Sequence, residues 1–292
     1  MSYVLNGVKN QTISPETRQR VHAAVAELGY IPNRSARALK EGATRIVLLD
    51  LYGLPVGSSF DGFMAGLDAE FSAKGLVLLV HYGHESTQSI TDVALEVAAH
   101  TLISAQSLDS ASLSALKTGN VNVNHGWPAP GGGVQLGYLA NKGHRHIAYA
   151  LPGDLRLEQM GRLRFQDTAE AARALGIPPL SAFAISDSDI EITARRLREA
   201  LDADPAITAV AAYNDDVAFR VLTAMRRLGL SAPHDLAVIG VDDDPHASLW
   251  QPAVTTVRFD LEALGRSWAR HILGEPLDQE ALEGTIVARD SA

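Results

Sequence analysis

Apolar side chains recur three or four positions apart near the start of the chain, which is the spacing of one helix face. The pattern predicts a helix that begins after Ser14 and ends before Gly29. Ser14 can cap it, Pro15 suits the first helical position, and Glu16 favours the positive end of the helix dipole. A break follows, and a second short helix is predicted over residues 33–39.

From residue 45 onward the pattern alternates between short apolar runs and longer helical stretches. Strands are predicted at 46–49, 76–80, 147–151, 182–185, 209–213 and 236–241. Helices are predicted at 60–71, 89–99, 157–175, 189–201, 215–228 and 260–273. Continuous apolar strands that alternate with amphipathic helices indicate parallel sheets covered on both faces. The predicted fold class is therefore α/β, with doubly wound parallel sheets.

Polar residues follow directly after two of these strands. Asn214 and Asp215 come after one strand, and Asp242 opens a run of three aspartates after another. Arg164 lies on the helix that follows strand 147–151. Because ligands of such sheets bind beyond the carboxyl ends of the strands, these groups are candidates for binding a polar ligand. The alternatives are ordinary helix capping for Asn214 and a plain polar loop for the aspartates.

Length and composition narrow the class of protein. A chain of 292 residues suggests two lobes, or one lobe and an appendage. With 46% hydrophobic and 20% charged residues it can bury a core. The absence of cysteine excludes disulfides, thiolate metal sites and a cysteine nucleophile. Without an apolar run of ~18 residues or a signal-like start, we expect a cytoplasmic protein.

The net charge of −9 is unevenly distributed. Residues 1–45 hold seven cations and three anions, a net of +4, and the remainder of the chain carries −13. A short basic segment joined to an acidic body is typical of a nucleic-acid-binding arm attached to another domain. The alternative is an ordinary basic helix at a terminus.

Several sequence strings together resemble the lactose-repressor/purine-repressor family of bacterial transcriptional regulators. In the head, residues 4–7, 13–18 and 26–33 are similar to the end of its helix-turn-helix domain, and 36–39 to its hinge helix. In the body the matching strings stand in family order at 143–148, 214–215, 237–243 and 255–257. Each string alone is weak, but the ordered set is specific.

The resemblance implies a partial helix-turn-helix and hinge helix over 1–44 and an effector-binding domain over 45–292. That domain is expected to be of the type I periplasmic-binding-protein kind, with two lobes joined by three crossing strands. Lobe one would take about 45–150 plus 258–283, and lobe two about 151–257 plus 284–292.

The same resemblance gives the ligand and its contacts. Arg164, Asn214 and Asp242 match positions that bind the effector in this family, which is often a sugar or a purine. We expect a sugar or related metabolite. Phe60, on the first helix of the body, would form an apolar wall of the cleft.

As for DNA, the family implies a homodimer that places two heads on a pseudo-palindromic operator. Leu39 would enter the minor groove as an apolar wedge, or instead pack against the body. Effector binding would shift operator affinity allosterically, by about 1–3 kcal/mol. The predicted DNA-binding residues are Ser2, Tyr3, Asn6, Ser14, Thr17, Arg18, Asn33, Arg34, Arg37 and Leu39.

The chain departs from the family in two places. Met1 stands where family members commonly have valine within the recognition helix, so we expect that about twenty native residues of the helix-turn-helix precede it. Residues 118–133 are shorter than in the family, and the Val/Asn alternation there predicts one half-exposed strand. Asn124 and Trp127 are the candidate ligand contacts on this segment.

Other chemistry is weakly supported. His144 and His146 belong to a family string at the start of a strand, and we expect no metal and no cofactor. The glycines at 131–133 lack the following Lys-Ser/Thr of a phosphate-binding loop, and no Gly-x-Ser-x-Gly motif occurs. We therefore expect no catalytic residues and no enzyme. The alternatives to a DNA-binding regulator are a sugar-binding protein of the periplasmic type and a sensor without DNA binding.

Overall fold

The computed structural model describes residues 13–28, 44–52, 54, 57, 60–83, 88–105, 107–126, 128 and 130–292. The chain divides into two compact units, Met1–Thr44 and Arg45–Ala292. In the first unit, helix α1 (Pro15–Glu27) begins where the sequence predicts, and the Ser14 side chain accepts a hydrogen bond from the Thr17 N–H at 3.2 Å. The second predicted helix, 33–39, lies outside the described residues.

The second unit contains two sheets, of which the first has the order β2-β1-β3-β4 with all strands parallel. Its strands are β1 (Ile46–Asp50), β2 (Val77–His81), β3 (Thr101–Ser104) and β4 (Asn122–His125). The helices between them are α2 (Phe60–Ala73), α3 (Ile90–Glu96) and α4 (Ser110–Thr118). The central strands β1 and β3 are buried because each has a neighbouring strand on both sides, whereas the edge strand β2 is half exposed although its sequence is apolar.

The second sheet has the order β10-β9-β8-β7-β5-β6, and β10 is antiparallel to β9. Its strands are β5 (Ile147–Leu151), β6 (Ser181–Ala184), β7 (Ala209–Ala212), β8 (Ala237–Val241), β9 (Thr255–Arg258) and β10 (Thr285–Val287). The accompanying helices are α5 (Gly132–Asn141), α6 (Glu158–Ala174), α7 (Ile190–Ala203) and α8 (Asp215–Arg227). Short 3-10 turns lie at Leu155–Leu157, Pro245–Ser248 and Glu280–Leu282.

The last long helix, α9 (Leu261–Ile272), returns to the first lobe and packs on α2. The two helix backbones approach so closely that a Cβ on Gly66 would lie 2.2 Å from the Glu262 carbonyl oxygen. The Gly265 position is equally tight against the Phe63 carbonyl oxygen. Glycine at these two positions is what permits the helices to meet.

The chain passes between the two lobes after β4, after β9 and before β10. The first lobe was expected to extend to about residue 150, but Leu136, Leu139 and Tyr149 are buried in the core of the second lobe. Helix α5 and strand β5 therefore belong to the second lobe, and the first passage lies between His125 and Gly132. These two elements pack against β7 and β8 of the second lobe. A local sequence pattern does not reveal which distant strands an apolar face will contact.

The prediction of two lobes built on parallel sheets is confirmed. The half-exposed strand predicted in the shortened segment corresponds to β4. The sequence interpretation missed three strands, β3, β9 and β10, and two helices, α4 and α5. Helix α4 is rich in serine, and three glycines disguise the start of α5. Among the described residues, no helix is both long and apolar enough to cross a bilayer.

Candidate ligand-binding cleft

A cleft of about 580 Å³ lies between the lobes, a volume typical of small-molecule sites. The first lobe contributes apolar side chains to its wall, namely Leu54, Phe60, Phe63, Leu261 and Leu264. The second lobe contributes the polar side chains. Most of these follow the carboxyl ends of its strands, namely Asp154, Asp187, Asn214, Asp215, Asp216 and Asp242, and Arg164 joins them from a helix. The wall from the first lobe is therefore apolar, whereas the wall from the second lobe carries the polar groups beside apolar ones such as Leu157, Met160 and Val217.

Arg164 is a buried cation on α6 whose side chain is fixed before any ligand arrives. Its Nη1 donates to the Tyr213 carbonyl oxygen at 2.6 Å, and the guanidinium carbon lies 4.5 Å from the centre of the Tyr213 ring. Burial acts to lower the pKa of Arg164, but the neighbouring Tyr213 and Asp242 outweigh it and the pKa stays above its ordinary value. Its buried Nε has no partner among the described residues and is available as a donor.

Asp242 follows β8 in a loop with unusual backbone geometry. Asp242 has φ +101° and Asp243 has φ +49°, a region that side-chain-bearing residues rarely adopt. The Asp242 N–H donates to the Val257 carbonyl oxygen at 2.9 Å, which anchors the loop to β9. Burial raises the pKa of Asp242, the nearby Arg164 opposes that rise, and the charge of Asp244 adds to it.

Asn214 both caps α8 and lines the cleft. Its Oδ1 accepts the Val217 N–H at 3.0 Å, so the capping interpretation is correct. Because the cap uses only the carbonyl oxygen, the Nδ2 amide group of Asn214 can still donate to a ligand. The two interpretations of this residue are compatible.

Asp215, the next residue, holds the loop of three aspartates, residues 242–244, which we call the aspartate loop. Its Oδ2 accepts the Asp244 N–H at 2.7 Å. Burial raises the pKa of Asp215 to about 7, although hydrogen bonds from Thr256 and the Asp244 backbone act to lower it. The other carboxylate oxygen lies against Gly240, where a Cβ would be only 1.9 Å away. Glycine is therefore needed at position 240 to make room for this carboxylate.

A rim of charged residues on the second lobe escaped the sequence interpretation. Asp154 follows β5 and accepts from Arg156 Nε at 2.9 Å. Arg220 donates from Nε to Asp216 at 3.1 Å and from Nη1 to the Asp187 carbonyl oxygen at 2.9 Å. The rule that polar groups follow strands would have found Asp154 and Asp187. Arg156 lies on a 3-10 turn and Arg220 lies within α8, so neither directly follows a strand and the rule would not have selected them.

The structure brings four of the six predicted ligand residues, Phe60, Arg164, Asn214 and Asp242, to the same cleft. Asn124 lies on the edge strand β4, in register with Ile103, and is not among the described residues that line the cleft. Asn124 is one residue before the carboxyl end of β4. Trp127 lies outside the described residues.

Of the predicted DNA-binding residues, Ser14, Thr17 and Arg18 are in the described part of the head, around the start of α1. The Ser14 and Thr17 hydroxyl oxygens are 2.9 Å apart. The remaining candidates, Ser2, Tyr3, Asn6, Asn33, Arg34, Arg37 and Leu39, lie outside the described residues.

Comparison with known proteins decides the family. A family model for a periplasmic binding protein-like domain matches residues 136–291, and the model for bacterial regulatory proteins of the lacI family matches residues 1–33. The transcriptional regulator CelR of Thermobifida fusca is 30% identical, over 100% of this chain and 93% of that protein. The chain belongs to the lacI family of bacterial regulatory proteins. The family prediction is thus confirmed, and the chain is a DNA-binding transcriptional regulator.

Other relatives agree. The regulator GalS of Salmonella typhimurium (strain LT2) is 29% identical over 91% of this chain and 82% of its own length. A CelR–cellobiose complex has a TM-score of 0.63 at 26% identity, covering 100% of this chain and 94% of that one. The lac repressor dimer bound to operator has a TM-score of 0.69 at 23% identity, covering 99% and 93%, and supports the same fold. The relatives named here, CelR, GalS and the lac repressor, are regulators and not enzymes.

Proposed function

We propose that this lacI-family regulator binds a small sugar in the cleft and that the bound sugar controls its affinity for operator DNA. The observation that carries the proposal is the cleft itself, where Arg164, Asn214 and Asp242 oppose an apolar wall that includes Phe60. Sugars present hydroxyl groups at their edges and apolar C–H surfaces on their faces. A polar wall opposite an aromatic one is complementary to both.

Each polar group has a role in this proposal. The Asp242 carboxylate accepts hydroxyl protons, and Arg164 Nε and Asn214 Nδ2 donate to hydroxyl oxygens. Arg164 is held by the Tyr213 carbonyl oxygen at 2.6 Å, so little side-chain entropy is lost when a ligand arrives. Phe60 would lie against an apolar sugar face.

The relatives support a disaccharide as the first candidate. The CelR complex contains cellobiose, and a lacI-family regulator from Arthrobacter sp. FB24, 24% identical with a TM-score of 0.59, is in complex with lactose. The 580 Å³ cleft has room for a ligand of that size. Cellobiose is therefore the first probe to use.

We further propose that two copies associate through apolar surfaces on both lobes. On the edge strand β2, Val77 is 53% exposed, Leu79 40% and Val80 43%. On the second lobe, Leu249 is 78% exposed next to Trp250. Apolar side chains exposed on an unpaired strand edge favour association with another chain. Paired heads carrying a net charge of +4 each would then face one operator, with the candidate residues of the head contacting it.

The ligand assignment is tested by thermal unfolding with and without cellobiose, followed by lactose and monosaccharides. At one hundred times Kd, a ligand stabilises a folded protein by about 2.7 kcal/mol. Asp242→Ala and Arg164→Ala should abolish the ligand-induced shift, while Asp204→Ala should retain it. Asp204 pairs with His146 at 3.0 Å on the second lobe and does not line the cleft. Unchanged shifts in both cleft variants would remove the assignment.

Operator binding is tested by footprinting the upstream region of the gene with and without cellobiose, over a range of salt concentrations. Protection that weakens with salt and changes with the sugar is expected for a regulator. Sugar binding with no protection at any salt concentration would favour the alternative, a sensor without DNA binding.

Association is measured by analytical ultracentrifugation. Val80→Asp together with Leu249→Asp should shift the protein from dimer to monomer. Leu113→Asp, at a residue 37% exposed on α4, is the control that should leave the dimer intact. A wild-type monomer would contradict the proposed association.

A further inference from the structure

Asp243 is the second of the two consecutive residues whose backbone lies at positive φ after β8. Its own side chain does not line the cleft, unlike that of Asp242 beside it. Aspartate adopts positive φ more often than most residues with a side chain, but two such residues in a row are still costly, so we expect the surrounding contacts to hold the loop in place. Those contacts show what Asp243 does.

The Asp243 carboxylate bonds to two arginines at once. Its Oδ1 lies 2.6 Å from Arg289 Nη2, and its Oδ2 accepts from Arg258 Nε at 2.6 Å. The Asp243 and Arg289 side chains are only 13% and 16% exposed, whereas Arg258 is 57% exposed. Burial acts to raise the pKa of Asp243, but the two arginines outweigh it and the pKa is lowered, so the carboxylate is a fixed anion.

Both arginines belong to segments that adjoin passages between the lobes. Arg258 is the last residue of β9, and the chain enters the first lobe immediately after it. Arg289 follows β10, the strand formed when the chain has returned to the second lobe. Arg289 is itself anchored at the start of β9, since its N–H donates to Thr255 Oγ1 at 3.0 Å and its Nη1 to the carbonyl oxygen of the preceding Val254 at 2.7 Å.

The third passage meets the others at the same place. Val241, Val257 and Phe259 form a small buried cluster beneath the aspartate loop. Gly131, at the end of the first passage, would bring a Cβ to 3.3 Å from Val241, and Gly284, in the third, to 2.4 Å from Val257. We call this cluster, together with the Asp243–Arg258–Arg289 ion group, the hinge between the two lobes.

We propose that Asp243 is a positioning residue that joins the ligand-binding Asp242 to the hinge. Because Asp243 holds Arg258 and Arg289, a change in the angle between the lobes changes the orientation of the loop that presents Asp242. By reciprocity, a ligand that engages Asp242 restricts the lobes. The ligand part of this proposal rests on the proposed function, whereas the restriction of the lobes does not.

The absence of cysteine from the chain permits a direct measurement of the lobes. Spin labels are attached at two exposed sites, Lys117→Cys on α4 of the first lobe and Arg198→Cys on α7 of the second. Pulsed electron paramagnetic resonance then measures the distribution of distances between the lobes. Asp243→Asn and Arg258→Gln are compared with Asp204→Asn, which removes a carboxylate that pairs with His146 within the second lobe. Circular dichroism confirms that each variant is folded.

Without any ligand, we expect a broader distance distribution for Asp243→Asn and Arg258→Gln than for the wild type and Asp204→Asn. If Asp243→Asn does not fold, the Arg258→Gln variant, which changes the exposed partner of Asp243, tests the proposal in its place. Distributions that are the same in all four proteins would overturn the proposal, because Asp243 would then only stabilise the second lobe.

Cellobiose supplies the second measurement. We expect it to narrow the wild-type distribution, and we expect Asp243→Asn to bind it at least about fivefold more weakly. If neither cellobiose nor lactose nor a monosaccharide binds the wild type, the sugar class of the proposed function fails, while the ligand-free distributions still decide the role of Asp243. Wild-type affinity for cellobiose in Asp243→Asn would overturn the link to Asp242.

Discussion

The two lobes contribute different chemistry to the same cleft. The second lobe supplies charged and amide groups that are already held by hydrogen bonds, such as Arg164 on the Tyr213 carbonyl oxygen and Asp215 on the Asp244 N–H. The first lobe supplies Phe60, Phe63 and other apolar side chains. Polar recognition is thus preorganised on one lobe, and the other lobe closes an apolar surface over it.

This difference follows from how each lobe is held together. The second lobe has a six-stranded sheet and one large core that surrounds its buried charges. The first lobe has four strands and smaller clusters, and it depends on a helix that arrives late in the sequence, α9. The cleft charges therefore lie on the lobe with the single large core, where hydrogen bonds within that lobe already hold them.

The largest expected effect tests the buried charge of the second lobe. The pKa of Asp215 is raised to about 7 from its ordinary 3.8, so the folded state retains a proton that the unfolded state releases. The resulting stability is present in full below pH 3.8 and is lost as the pH rises through 7. Relative to Asp215→Asn, the wild-type free energy of unfolding should fall by on the order of 3 kcal/mol between pH 4 and 8. Urea unfolding at several pH values measures it.

The difference between the two unfolding curves isolates Asp215, because all other titrating groups are shared. Parallel curves for the wild type and Asp215→Asn would contradict the buried, proton-retaining carboxyl.

The next effect tests the packing of the first lobe. Gly66→Ala should lower the free energy of unfolding by about 2 kcal/mol, since its Cβ would meet the Glu262 carbonyl oxygen at 2.2 Å and force α2 and α9 apart. The matched control is Gly137→Ala in α5, where a Cβ meets nothing within 4 Å. The control should gain about 0.5–1 kcal/mol from helix propensity. Chemical denaturation in one buffer compares the two, and equal effects would remove the distinction.

The smallest effect sharpens the division between polar and apolar walls. Phe60→Ala should weaken cellobiose binding about tenfold, or about 1.4 kcal/mol, without abolishing it, because it removes contact area but no hydrogen bond. Leu155→Ala, at a residue 82% exposed on the second lobe, is the control and should bind as the wild type does. Calorimetric titration measures both. A loss as large as that expected for Asp242→Ala would show that the first lobe does more than cover the ligand.

Much of this arrangement could be predicted from the sequence. Apolar runs gave most strands, and the rule that ligands bind beyond strand ends selected Asn214 and Asp242. The resemblance supplied the family and the assignment of 258–283, which contains α9, to the first lobe. What stayed hidden depends on distant contacts. Neither the fit of the Asp215 carboxylate against Gly240 nor the two arginines on Asp243 has any local signature.

Asn124 illustrates the limit of a local pattern. The alternation of valine and asparagine correctly predicted a strand, but alternation alone does not say which of its residues faces a ligand. The part of Asn124 in ligand binding stays a prediction.

The packing of α9 on α2 has a consequence for how the protein is made. During synthesis the ribosome releases residues 60–73 long before 261–272, so the apolar surface around Phe63 and Leu67 emerges without its cover. The early half of the nascent chain must therefore wait for nearly the whole protein before it can finish folding, and in the meantime it is a natural substrate for chaperones.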